Sequence, residues 1–78
     1  MATVELYGAS TCPYTRELRE RLLWRGVHFT EYDVEEDVGA RERLSMLTDH
    51  RCPVPVLVED GCVKEIGWRG RTCMVRGG

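Results

Sequence analysis

The sequence predicts an α/β fold, a mixed four-stranded sheet with helices packed against it. Three observations predict it. Strand-forming and helix-forming stretches alternate through the first half of the chain, the order of a right-handed βαβ crossover with parallel strands. An Asp60-Gly61 pair then separates two further apolar stretches, a two-residue hairpin signal that adds antiparallel strands. Finally, 78 residues suffice for one small core and not for two, so residues 1–78 are expected to form a single domain.

Each element has its own justification. Thr3–Tyr7 is a run of strand formers ended by Gly8. Pro13 suits the first turn of a helix, where its missing N–H costs nothing. Leu18, Leu22 and Leu23 then form an apolar stripe, Trp24 is expected to pack the helix end, and Gly26 stops the helix. Val27–Val34 reads as a second strand. A helix over residues 37–48 follows, with Ala40, Leu44 and Leu47 on one face. Val54–Glu59 and Cys62–Ile66 are the hairpin strands. The glycine-rich tail from Gly67 is expected to form at most one short turn, a truncated C-terminal helix. There are no repeats or low-complexity segments.

Composition excludes several function classes. The net charge of -2 gives no general attraction to nucleic acid or to an anionic membrane. No apolar run is long enough to span a bilayer. The opening "MATVELYG" lacks a basic region followed by an apolar one, so no signal peptide is visible and a cytoplasmic location is expected.

Four cysteines stand at 12, 52, 62 and 73. None forms the close pair that structural zinc sites use, so no metal is expected. A disulfide staple suits a secreted domain better, so free thiols are expected. Cys12 is the candidate nucleophile. A strand ending at Tyr7 and a helix entered at Pro13 put Cys12 at a helix N-terminus, where free N–H groups and the dipole favour an anion. Such positions lower a thiol pKa from about 8.5 to roughly 3.5–7.5. His28 and His50 stand alone and carry no expected metal or triad role.

"TCPYT", "CPVPVLVEDG" and "IGW" together resemble the glutaredoxin family, and the resemblance runs over nearly the whole chain. "CPYT" is similar to the family's Cys-Pro-Tyr-Cys motif with its second cysteine replaced. Within the family the chain resembles a small bacterial group, the Uxx-star proteins, many of which carry selenocysteine at the position of Cys12. The resemblance implies a thioredoxin-like fold, a cis Val54–Pro55 bond, and thiol–disulfide exchange with glutathione as co-substrate. The implied partners are glutathionylated or disulfide-containing proteins, met by a monomer. It implies a monothiol cycle: Cys12 takes glutathione from a mixed disulfide and a second glutathione releases it. Thr15 is then placed to donate a hydrogen bond to the Cys12 sulfur.

The same resemblance implies a glutathione groove. Val54 would pair its backbone with the tripeptide beside Pro55, Pro13 and Tyr14 would flank Cys12, and Gly67 would meet the γ-glutamyl end. Trp68 is read either as a border of the site or as a cover for the core. This chain departs from the family at Ala9, where a lysine is common, at Pro53, and in "GWRG", which lacks the usual acidic residue. Arg51 and Arg69 are the candidates for a lost carboxylate contact.

Strand directions rank the other cysteines. Cys52 and Cys73 fall on the Cys12 side of the sheet, whereas Cys62 lies roughly 20 Å up the strand. Cys73, on a glycine-rich tail, is the preferred resolving residue and Cys52 the second; both as spectators is the remaining reading. Two other functions stay open. One is an iron–sulfur cluster carrier, disfavoured by Pro13 beside the cysteine; the other is a redox partner that does not use glutathione.

Overall fold

Val4–Gly8 forms the central strand β1 of a structure, a computed structural model, that describes residues 3–75. The terminal glycines Gly77 and Gly78 of the tail lie outside the described residues. After β1 come α1 (Pro13–Trp24), β2 (Thr30–Asp33), α2 (Val38–Leu47), β3 (Pro53–Val54), β4 (Val56–Glu59), β5 (Cys62–Ile66) and β6 (Cys73–Met74). The main sheet has the order β2-β1-β4-β5. β1 runs parallel to β2 and antiparallel to β4, and β4 is antiparallel to β5. The expected mixed four-stranded sheet is therefore present.

Consecutive strand residues point to opposite faces, and Leu6 and Tyr7 begin the two halves of the core. On one face Leu6 packs with Leu18 and Leu22 of α1, joined by Val27, Phe29 and Trp68. On the other, Tyr7 packs with Val34, Val54 and Val56, and with Ala40 and Leu44 of α2. The helices thus cover opposite faces. Leu44 is fully buried, and its truncation to alanine would cost about 2–5 kcal/mol.

α2 forms as its pattern predicts, with Asp37 as N-cap accepting from the Ala40 N–H at 3.1 Å. Four expectations need correction. Leu23 and Trp24 are 62% and 89% exposed. Leu18 and Leu22 stand one above the other at i, i+4 spacing, and each further residue turns about 100° away from that line. Val27–Phe29 lies outside β2, and Val27 and Phe29 pack beneath α1 instead. The strand expected over residues 54–59 is interrupted at Pro55, which has no N–H for a ladder. Val54 belongs to a second, two-stranded sheet.

The fourth correction concerns the tail. Among the described residues no helix follows β5. Trp68 and Arg71 instead exchange backbone hydrogen bonds of 2.8 and 3.0 Å. Between them Arg69 and Gly70 have φ of 54° and 76°, the two positive values of a tight hairpin turn. The chain is sent back along its own path, and β6 pairs antiparallel with β3, Pro53 opposite Met74 and Val54 opposite Cys73.

Candidate active site

Cys12 is the N-cap of α1, in extended conformation, with Pro13 opening the helix. Its N–H bonds the Ala9 carbonyl at 3.0 Å, which closes the turn leaving β1. Thr15, one turn into α1 and buried, accepts the Ala9 N–H on its hydroxyl at 3.3 Å. Gly8 makes this packing feasible, because a Cβ there would overlap Thr15 Cγ2. At the rim, the Thr11 hydroxyl donates to the Glu35 carboxylate at 2.9 Å.

The Cys12 thiol is lowered from its ordinary value. Burial is the largest single influence and opposes ionisation. It is outweighed by hydrogen bonds to the sulfur from the Cys73 thiol, the Thr15 N–H, the Thr15 hydroxyl and the Tyr14 N–H. As a neutral thiol Cys12 makes no cap bond and faces the Val54 carbonyl at 3.9 Å. Ionised, it is the acceptor that the first turn of a helix lacks. The Thr15 hydroxyl, which accepts from the Ala9 N–H, favours the ionised sulfur by donating to it.

Cys73 shows the reverse behaviour. Its thiol is pushed up to about 11, first by its hydrogen bond to Cys12, then by burial and by the Cys12 charge. The two thiols titrate as an interacting pair, with Cys12 held low and Cys73 raised. Cys52 is buried too, but its thiol donates to the Arg41 carbonyl of α2 at 3.8 Å. Cys62 is exposed at the start of β5, opposite Glu59, at the far end of the sheet from Cys12. No disulfide joins any of the four.

The remaining candidates divide into two groups. Tyr14 packs half-buried against the core cluster that contains Cys12 and Val54. The Val54–Pro55 bond is cis. Gly67 gives its N–H to the Pro55 carbonyl at 2.6 Å, and with φ of 87° and the Arg71 carbonyl 2.7 Å from where a Cβ would be, it must be glycine. Arg51 lines a groove of about 620 Å³ with Leu47, Pro53, Ile66 and Met74. These residues gather around β3 and β6. Trp68 and Arg69 do not join them. Trp68 covers the Leu6–Leu18–Leu22 cluster, and Arg69 lies over its ring at 5.4 Å, facing Glu17, Glu20 and Trp24 of α1.

A buried cysteine at a helix N-terminus, its thiol held below the ordinary value and beside an extended Val-Pro segment, is equipped for nucleophilic attack on sulfur. The glutaredoxin family model matches residues 4–63. The chain belongs to the glutaredoxin family. It is 35% identical over 75 residues to "probable glutaredoxin slr1562" of a Synechocystis sp. strain, covering 90% of this chain and 69% of that protein. Among solved structures it is similar to the thioredoxin-like protein BC3987 in a mutant form, with TM-score 0.77, 33% identity, and 88% and 86% of the two chains covered. It is also similar to a glutaredoxin from Archaeoglobus fulgidus, with TM-score 0.69, 25% identity, and 88% and 78% covered. The thioredoxin-like fold is thereby established. Cys73 and β6 lie beyond the span that the glutaredoxin model matches.

Sequence reasoning missed the pairing of Val54 with Cys73. The signal was present in Arg69-Gly70, a residue followed by glycine between two short segments, but arginine has no left-handed preference to announce a turn.

Proposed function

We propose that this glutaredoxin is a thiol–disulfide oxidoreductase that uses glutathione in a monothiol cycle through Cys12, acting as a cytoplasmic monomer on glutathionylated proteins. The observation that carries the proposal is the Cys12 thiol held low at the N-terminus of α1, facing the Val54 carbonyl at 3.9 Å. The Cys12 thiolate attacks the glutathione sulfur of a mixed disulfide. A new sulfur–sulfur bond forms, the old one breaks, and the protein thiolate leaves and takes a proton from water. A second glutathione thiolate then attacks the glutathione sulfur on Cys12. Glutathione disulfide departs and the Cys12 thiolate is restored.

Thr15 donates to the sulfur in the role that a second cysteine does not fill here. Val54 offers backbone groups for an extended peptide, and Arg51 would meet a carboxylate as a planar fork. Trp68 and Arg69, on the α1 side, take no part in this reading. The test is reduction of a glutathione mixed disulfide of a small thiol, followed through formation of glutathione disulfide. Cys12→Ser is expected to fall below roughly one-tenth of wild-type activity; retention of more would remove Cys12 as sole nucleophile. An oxidoreductase active with dithiols but not with glutathione would remove the co-substrate instead.

A further inference from the structure

The backbone edge of Val54 is already occupied. The Val75 N–H donates to the Cys52 carbonyl at 3.3 Å, and hydrogen-bonded pairs alternate along an antiparallel ladder. Val54 and Cys73, two steps along, therefore form the next hydrogen-bonded pair, and β6 satisfies the Val54 groups that an added strand would use. Cys12 is only 3% exposed. An incoming disulfide must approach its sulfur in line, so whatever covers Cys12 has to move first.

We propose that β6 is an internal substrate strand, which seats Cys73 on the Val54 edge opposite Cys12, yields that edge to an extended thiol substrate, and returns to close a Cys12–Cys73 disulfide. The proposal rests on the reading of Cys12 as the nucleophile. β6 is well suited to leave. Its ladder spans two residues, Met74 is exposed, and its approach is a two-residue turn at Arg69 and Gly70. Short ladders held by few hydrogen bonds open locally at low cost, here against the partial burial of Cys73 and Val75 on the core.

The chemistry balances within the proposed cycle. After Cys12 has taken glutathione, the Cys73 thiolate attacks Cys12 Sγ. The bond from Cys12 to glutathione breaks, and the departing glutathione thiolate takes up the proton that Cys73 released. Two further glutathione molecules reopen the Cys12–Cys73 bond: the first attaches to Cys12 and frees Cys73, and the second leaves as glutathione disulfide. The hydrogen bond to Cys12 and the smaller effect of the Cys12 charge raise the Cys73 thiol in the reduced protein, and both are removed once Cys12 is in a mixed disulfide. Cys73 thus gains nucleophilic character when Cys12 has loaded.

Two measurements on the full chain test this. Diamide removes two electrons and two protons from a thiol pair and becomes a hydrazine, with no glutathione involved. Peptide mapping after diamide is expected to show Cys12 joined to Cys73; Cys12 joined to Cys52, or an unlinked Cys12, would overturn the proposal. The second measurement uses Cys73→Ser, with Cys73→Ala as a further variant, each converted to its Cys12–glutathione adduct. Amide exchange at positions 73 and 75 should be slow in the reduced variant and roughly tenfold or more faster in the adduct. Unchanged protection would show that the glutathionyl group does not take the β6 position, and the displacement would be refuted. If diamide links Cys12 to Cys73 while glutathione turnover fails, the tail assignment stands and the proposed co-substrate falls.

Discussion

Two turns of this molecule share one geometry and close very different structures. Asp60-Gly61 has φ of 52° and 81°, and Arg69-Gly70 has 54° and 76°. Each leads toward a strand that begins with a cysteine, Cys62 in β5 and Cys73 in β6. The first turn joins two strands of the main sheet and is tied to the start of its central strand β1 by the Thr3 N–H, which donates to the Asp60 carboxylate at 2.8 Å. The second joins a lone bridge and a two-residue ladder outside that sheet. Turn chemistry reverses the chain equally well in both places. What the reversal is worth depends on how much structure leans on it, so one turn supports the main sheet and the other supports the short β3–β6 ladder.

The largest expected effect that tests this contrast comes from Gly61→Val. No atom lies within 4 Å of a Cβ at Gly61 or Gly70, so both substitutions carry the same backbone strain, about 1–2 kcal/mol. At Gly61 it should appear in full as lost global stability in denaturant unfolding. At Gly70 global stability should change by less than about 0.5 kcal/mol, while amides of β6 exchange faster and Cys12 alkylates faster. Equal losses of global stability in the two variants would abolish the distinction between the turns.

Next in size is a shift in acidity. Cys73 supplies the largest of the hydrogen-bond contributions that lower the Cys12 thiol, so Cys73→Ala should move the Cys12 midpoint upward, and Cys62→Ala should leave it unmoved. Site-resolved iodoacetamide labelling across pH reads both. The sign extends to stability. Cys12 has a lower pKa folded than unfolded, so its ionisation stabilises the fold above the unfolded thiol pKa. That contribution is lost as pH falls through the folded value. Cys73 is raised, so its contribution is present below the ordinary thiol range and is lost as pH rises toward about 11. A Cys12 midpoint unchanged by Cys73→Ala would mean the two sulfurs do not share a proton. Smallest of all, Cys62→Ser at its exposed site should alter stability by less than about 0.5 kcal/mol; a larger loss would give the first turn a role in packing that the structure does not assign.

The two turns also show what the sequence made legible. Asp60-Gly61 was readable because aspartate tolerates the left-handed region and glycine favours it. Arg69-Gly70 carries only half of that signal, and the strand after it is too short for alternation to register. The main sheet, the helix faces at Leu18, Leu22, Ala40 and Leu44, and the place of Cys12 before Pro13 were all written in local pattern. Leu23 and Trp24 looked apolar enough to pack, yet the helix phase had already committed the buried line to Leu18 and Leu22. The split between Val54 and Val56 followed from Pro55, but the partner that Val54 found lies nearly twenty residues on. A contact at that separation leaves no trace in local periodicity. The Thr15–Ala9 contact escaped for the same reason: it depends on how a strand end and a helix start meet across Gly8.

The seven-residue span from Gly67 to Cys73 has a consequence for concentration. A tethered strand acts as a ligand of fixed local abundance, on the order of millimolar for a short flexible link. An external thiol peptide competes with it on unequal terms, and engages Val54 in half of the molecules only when its own concentration, weighted by its affinity, matches that local value. The link therefore sets a threshold rather than an on-or-off state. Lengthening it with glycine and serine after Gly70 dilutes the tether, roughly as the three-halves power of its length once the span is exceeded. A titration of Cys12 loading with glutathione disulfide, from which one glutathione leaves as the thiol, should shift to lower concentration with each insertion, whereas a tail that does not compete would leave every titration superimposed.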